Sequence, residues 1–405
     1  MKSFSTRVSF FYAAYFLVIG VYLPFFPVWL GARGLTPGDI ALIVAIPMIM
    51  RVVFTPIMAV AAGRMGGLRR AIMVFAFLGA VPIALLDIVS GVWLIAGLVA
   101  LSALFWNPVL PLAEALTMAG VNRGSLSYGR MRLWGSWSFI AANLGAGWLL
   151  SRYNPDWAIH IITVCYFICA LSAVFLLEPD RDDKTPAAGA PATLKSAGAL
   201  LRLAPLTLAI ITASLAQASH GVLYAMGSLH WAALGYGGVT IGAFWALGVL
   251  AEILLFVFSR QAFLGFGAFG LLLLGGLAGV MRWGAFALDP GLVGFALLQA
   301  LHGFTFGATH LGIVHMIGHA VPERQAATAQ AISFTFGGLF LGLSAFAAGP
   351  LYEAFGGASY LAMGALSGVS AALALAGVLL FGKQLKDVRV TESPEPQPHK
   401  SGSGG

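Results

Sequence analysis

Apolar runs long enough to cross a bilayer recur along almost the whole chain, separated by short polar or glycine-containing breaks. A spanning helix needs about 20 mainly apolar residues. The pattern predicts twelve such spans, centred near Ile19, Ile49, Gly79, Leu104, Ala141, Phe167, Leu215, Leu247, Gly275, Gly303, Gly342 and Ser370. Glycine or proline interrupts several of them, which membrane helices tolerate where neighbours satisfy the freed backbone groups. A single long polar stretch in the interior, Glu178 to Leu203, divides the spans six and six. The expected organisation is a six-helix bundle over 1–178, a linker over 179–203, a second bundle over 204–385 and a polar tail over 386–405. The terminal Ser401–Gly405 run is set aside from the fold.

A displacement of 201 residues brings the two halves into weak register. Gly20-Val21 falls on Gly221-Val222, Gly34 on Gly235, Gly38 on Val239, Ile40 on Ile241 and Arg51 on Glu252. The expectation is an all-α membrane protein built as two pseudo-symmetric six-helix repeats, with a central site near the midplane reached alternately from either side.

Composition narrows the picture. Charged residues make up 9% of the chain and hydrophobic ones 59%, against about 25% charged in soluble domains. That excludes a soluble enzyme, a nucleic-acid binder and a disordered chain. Of 22 basic residues, 17 fall in segments on the side of the N-terminus and two, Arg33 and Arg152, on the other, while Arg51, Arg132 and Arg282 lie inside helices. The positive-inside rule therefore puts both termini in the cytoplasm, in an inner (plasma) membrane. The net charge of +7 is a topology signal and not a nucleic-acid signal. Lys2 and Arg7 precede a long run without an Ala-x-Ala site, which reads as a retained first helix. Cys165 and Cys169 lie in one apolar run and supply no disulfide framework. No phosphate-binding loop is present, so ATP is not the expected energy source; no cofactor or metal is implied.

A charge at bilayer depth is expensive and marks function. Arg51, Glu252, Arg282, His302 and His220 fall at mid-depth of their predicted spans, and Glu114 and Arg132 face each other across the short loop Gly120–Ser127. Two polar centres follow. Arg132 with Glu114 would hold a polar group of a small-molecule substrate, since guanidinium grips carboxylates with two bonds. Phe139, two turns after Arg132, would line the same cavity, and His220 is a further substrate candidate. Glu252, Arg282 and His302, with Arg51, form a candidate proton site, because a carboxylate balanced between an apolar surrounding and an arginine can gain or lose a proton as access changes. Histidine itself titrates near neutrality. The plainer alternative is that these charges brace the helices as structural ion pairs, with His220 a helix-contact residue. His315 and His319, four apart, make a possible metal face, though interfacial histidines fit better. Asp39, Asp87, Asp156 and Asp289 are expected only to mark helix ends. No nucleophile–base–orienter set occurs, so no enzyme is expected, and the chain is expected to act as a monomer.

These residues resemble the major facilitator superfamily. Its usual loop between the second and third helices, G-x-x-x-D-[RK]-x-G-[RK]-[RK], is matched by Ala59–Arg70, which keeps Arg64, Gly66 and Arg69-Arg70 but has Ala59 and Gly63 in place of Gly and Asp. Phe16–Leu30, Pro111–Ala115, Tyr128–Ser136, Leu247–Glu252, Val280–Gly284 and Leu301-His302 resemble, more specifically, the proton-symporter branch that contains the lactose and phenylpropionate permeases. The resemblance implies that Glu114 and Arg132 stand where lactose-transporting members hold sugar, and Arg282 and His302 where they couple protons. Phe139 replaces a tryptophan that stacks on galactose, Thr305 a proton-carrying glutamate, and Gln299 and Gly337 lysines. Glu252 is then the remaining carboxylate for a proton. The implied function is proton-driven import of a small organic acid, with phenylpropionate-like acids as the first candidates; a sugar or nucleoside symporter and a proton-coupled exporter are the alternatives on the same fold.

Overall fold

The computed structural model describes residues 2–121, 126–178, 194–262 and 265–382. The charged run Asp180–Lys184, Arg123 and the tail from 386 lie outside them. The described residues form sixteen α-helices and no strand. In the first half these are α1 Lys2–Ala32, α2 Pro37–Gly63, α3 Leu68–Leu85, α4 Val92–Trp106, α5 Val109–Val121, α6 Tyr128–Leu150 and α7 Trp157–Val174. A short α8, Leu194–Leu200, precedes the second half. There follow α9 Ala204–Ala218, α10 Gly221–Ala233, α11 Gly238–Ala262, α12 Ala268–Phe286, α13 Gly291–Ala300, α14 Thr309–Ala320, α15 Glu323–Phe355 and α16 Tyr360–Phe381.

Among the described residues, ten stretches are long and apolar enough to cross a membrane. One of them, Glu323–Phe381, holds both α15 and α16, which turn at Gly356 with its φ of +53°. The 23-residue α6 falls outside the ten; its Arg130, Arg132, Asn143 and serines lower its hydropathy. Three of the stretches are broken helices. The α4–α5 break falls at Asn107-Pro108, the α9–α10 break at Ser219-His220, and α13 reaches α14 through a π-helical turn, Gly303–Ala308. Proline explains the first, since it cannot donate to the preceding turn. π turns are rare and concentrate at functional positions.

Small residues let the helices approach closely, as in membrane packing generally. A Cβ on Gly20 of α1 would sit 2.8 Å from the Phe139 carbonyl of α6. Between the halves the closest approaches gather at the end away from the start of α1, here called the far end. There a Cβ on Gly349 of α15 would lie 2.6 Å from the Pro37 carbonyl of α2, and one on Gly238 of α11 2.5 Å from the Gly147 carbonyl of α6. Gly31 of α1 meets Leu229 of α10 at the same end.

Two hydrogen bonds sit on these backbone contacts. Gly38 N–H, in the first turn of α2, donates to Glu353 Oε1 at 2.9 Å, and Val239 N–H, in the first turn of α11, donates to Ser151 Oγ at 3.2 Å. Both satisfy helix N-terminal donors that have no partner within their own helix. The 201-residue displacement carries Gly38 onto Val239 and Ser151 to within one residue of Glu353. Thr36 and Asp39 form a capping box that fixes the start of α2 beside Glu353.

Replacing Glu353 with Ala should speed amide hydrogen exchange in the peptide containing Gly38, and Ser151→Ala should do the same around Val239. Exchange rates unchanged in both variants would mean the far end is not held by these bonds.

Candidate functional site

Arg132 sits in the second turn of α6, whose first turn is capped by Ser127 Oγ accepting from Arg130 N–H at 3.4 Å. Its guanidinium carbon lies 3.8 Å from the ring centroid of Phe16 and 5.6 Å from that of Tyr12, both on α1. Cation–π contacts of this kind are worth about 0.5–2 kcal/mol. The stacking requires Gly135 one turn further on, because a Cβ there would meet Phe16 Cδ2 at 2.7 Å and Arg132 Nη1 at 3.0 Å. Glu114, reached through the α4–α5 break, accepts from the Tyr128 hydroxyl at 3.3 Å, and Arg132 lies beside the same hydroxyl. Arg132 and Glu114 thus share one region without the direct ion pair their spacing suggested; Tyr128 stands at both. From the other half, Glu252 of α11 takes Arg132 as its charged neighbour. Glu252 makes no hydrogen bond or ion pair among the described residues. One guanidinium therefore lies in the field of a carboxylate from each half.

The second cluster gathers where α9–α10 and α13–α14 are broken. Arg282 of α12 is fully buried. Its Nη1 donates to Thr305 Oγ1 at 2.9 Å and faces His302 Nδ1 at 3.2 Å and His220 Nε2 at 3.5 Å; its Nη2 donates to Gln299 Oε1 at 2.5 Å. His220 Nδ1 lies 3.1 Å from the Ala216 carbonyl, which leaves Nε2 as the acceptor on Thr305 and Arg282. Gln299 is held in turn by donating Nε2 to the Phe244 carbonyl at 3.0 Å. Trp283 braces the α9–α10 break by donating to Ser219 Oγ at 3.0 Å, and the Arg282 guanidinium lies 4.4 Å from its ring. None of the hydrogen-bond partners of Arg282 is a carboxylate, and its Nε–H has no partner. Tyr224 of α10 is in electrostatic reach of both Glu252 and Arg282.

The sequence candidates therefore divide. Arg282 and His302 meet directly, and His220 joins them rather than Arg132. Arg51 is exposed on α2, with Tyr15 of α1 in its field, apart from the Arg282 cluster. Phe139 is buried, 5% exposed, where its backbone packs on Gly20. His319 Nδ1 lies 2.7 Å from the His315 carbonyl, and no group of three metal-ligating side chains converges among the described residues. The aspartates expected only to mark helix ends do more. Asp87 pairs with Arg33 at 3.1 Å and with His160 at 3.3 Å, and Asp289 meets His230 at 2.7 Å, so these acids tie the ends of separate helices together. Tyr128, Phe16 and Gly135 lie in the resembling segments Phe16–Leu30 and Tyr128–Ser136 but have no role assigned from sequence, although the Arg132–Gly135 spacing of one turn is a visible signal. Gln299 and Thr305 were noticed only as departures, and their shared role as acceptors for Arg282 depends on the π turn.

Helices closed at one end around charged central residues, with broken helices at the polar clusters, define a secondary transporter. Residues 5–362 match the model of the MFS_1 like family, so the chain belongs to that family of the major facilitator superfamily. The "Probable 3-phenylpropionic acid transporter" of Escherichia coli (strain K12) is 30% identical over 312 residues, covering 76% of this chain and 80% of that protein. The maltose permease of Geobacillus stearothermophilus is 28% identical over 334 residues, covering 80% and 81%. Among solved structures, the nucleoside transporter NupG superposes with a TM-score of 0.79 at 16% identity, covering 93% of this chain and 99% of that one, and shares the fold. The protein is an integral membrane transporter and not an enzyme.

Thr305→Val is nearly isosteric and removes one acceptor from a buried guanidinium. Hydrogen bonds to charged groups contribute about 1.5–3 kcal/mol, so thermal denaturation of the purified protein should occur several degrees lower. An unchanged melting temperature would show that Thr305 carries none of the charge.

Proposed function

We propose that the chain is a proton-coupled symporter that imports a small organic acid by alternating access, with phenylpropionate-like acids as the leading substrates. The observation that carries this reading is that Arg132 lies within electrostatic reach of both Glu114 of its own half and Glu252 of the other. A substrate seated against that guanidinium weakens its tie to these carboxylates, and a proton on Glu252 releases it from the opposing half. Proton and substrate then favour the same change of access, which is what coupling requires. The E. coli relative's printed substrate, 3-phenylpropionic acid, supports an aromatic acid, as do the rings of Phe16, Tyr12 and Tyr224 around the cluster.

On this reading the spans number twelve, in two pseudo-symmetric bundles of six joined by the 179–203 linker. The count takes α15 and α16 as separate spans and adds α6 to the apolar stretches. Both termini lie in the cytoplasm by the distribution of basic residues, so the closely packed far end faces outward. The transporter works as a monomer in the inner membrane. A sugar or nucleoside symporter is the second reading, favoured by the maltose permease relative and by the hydroxyl-binding capacity of Glu114 with Tyr128.

Three outcomes test the assignment in proteoliposomes. Addition of an aromatic acid without an imposed gradient should alkalinise the outside; the same response to sugars or nucleosides alone would select the second reading. Glu252→Gln should lose proton-driven accumulation while keeping substrate exchange, and normal accumulation by this variant would remove Glu252 from the proton path. Arg132→Ala should abolish substrate binding at equilibrium, and undiminished affinity would move the site elsewhere.

A further inference from the structure

We infer that the carboxylate of the substrate docks on Arg282, while the rest of the substrate lies against Arg132, which also couples the halves; this rests on the organic-acid reading above. The two arginines differ in what surrounds them. Arg132 already has two carboxylates, Glu114 and Glu252, in its field. Arg282 has no carboxylate among its hydrogen-bond partners or electrostatic neighbours, which are Thr305, Gln299, His302, His220, Tyr224 and Tyr360. An anion that reaches the interior therefore finds its uncompensated positive charge at Arg282.

The hydrogen-bond inventory points the same way. A guanidinium carries five N–H donors. The Nη1 pair is taken by Thr305 and His302, with His220 at longer range, and Nη2 spends one hydrogen on Gln299. The Nε–H is buried without a partner, and one Nη2 hydrogen remains. A buried unpaired donor is costly, and an uncompensated buried charge more so. A carboxylate is the ligand that satisfies both, because its two oxygens match the two-pronged edge of a guanidinium.

The cluster is also built to hold that edge still. Gln299 is fixed by the Phe244 carbonyl, Trp283 packs on the guanidinium and is fixed by Ser219, and His220 is fixed by the Ala216 carbonyl. His302 is the member with the most exposed surface, 8%, and lies in the broken α13–α14 span. It is the side chain that moves aside when the carboxylate arrives. The body of the substrate then extends past Tyr224, which is in electrostatic reach of Arg282 and Glu252, toward Arg132.

The test compares each of several arylalkanoates and short alkanoates with its own amide, by equilibrium binding to the full-length protein in nanodiscs. The wild type should bind the best acid at least tenfold more tightly than its amide. Arg282→Gln should bring the acid down to the affinity that the same variant shows for the amide, with a cooperative thermal transition reporting that the variant is folded. Gln299→Glu changes almost no volume and puts a carboxylate on Nη2, so it should lower acid affinity at least tenfold and spare the amide. If both variants keep the acid-to-amide ratio of the wild type, the docking assignment is overturned while the organic-acid reading stands. If the wild type binds no acid better than its amide, the organic-acid reading falls and takes this assignment with it.

Discussion

A charge inside a bilayer has no water to turn to, and at a helix centre its presence costs roughly 2.5–3.5 kcal/mol on insertion scales. The fully buried Arg282 is where this constraint acts most strongly. Thr305 and His302 accept from it because the chain around them leaves the α-helix for a π turn, and His220 accepts because α9 stops and α10 begins beside it. Straight helices would turn these groups elsewhere. The irregular backbone is tolerated because it lies within protein and is itself hydrogen-bonded. The breaks and the charge thus depend on one another.

The second constraint lies where the two halves meet. Glycines at the contacts between α2 and α15 and between α6 and α11 bring backbone against backbone. Contacts of this kind gain packing without large interlocking side chains. The accompanying bonds from Gly38 to Glu353 and from Val239 to Ser151 are few, and they join side chains to helix ends already near water. Such a seal is tight yet breaks without exposing a buried polar core. Arg132 and Glu252, one from each half, lie within electrostatic reach of one another.

Much of this was legible in the chain itself. Span lengths, the polar interior stretch and the excess of basic residues on one side follow from solvation, which acts on composition and needs no tertiary contact. The cost of intramembrane charge singled out Arg132, Glu114, Glu252, Arg282, His302 and His220 for the same reason. The sequence misassigned roles where geometry decides. Asp87 and Asp289 look like helix-end residues in one dimension, and they become cross-helix partners only when Arg33 with His160, and His230, are brought beside them. Glu114 and Arg132 have the spacing for an ion pair, yet the Tyr128 hydroxyl occupies the place between them.

The sequence alone determined that the chain spans a membrane many times and carries charges that must be accounted for, because hydropathy and charge are local properties of residues. Which charge meets which partner was decided by the tertiary structure. Helix breaks and glycine contacts set positions to within an ångström, and a hydrogen bond or ion pair falls off over that same distance.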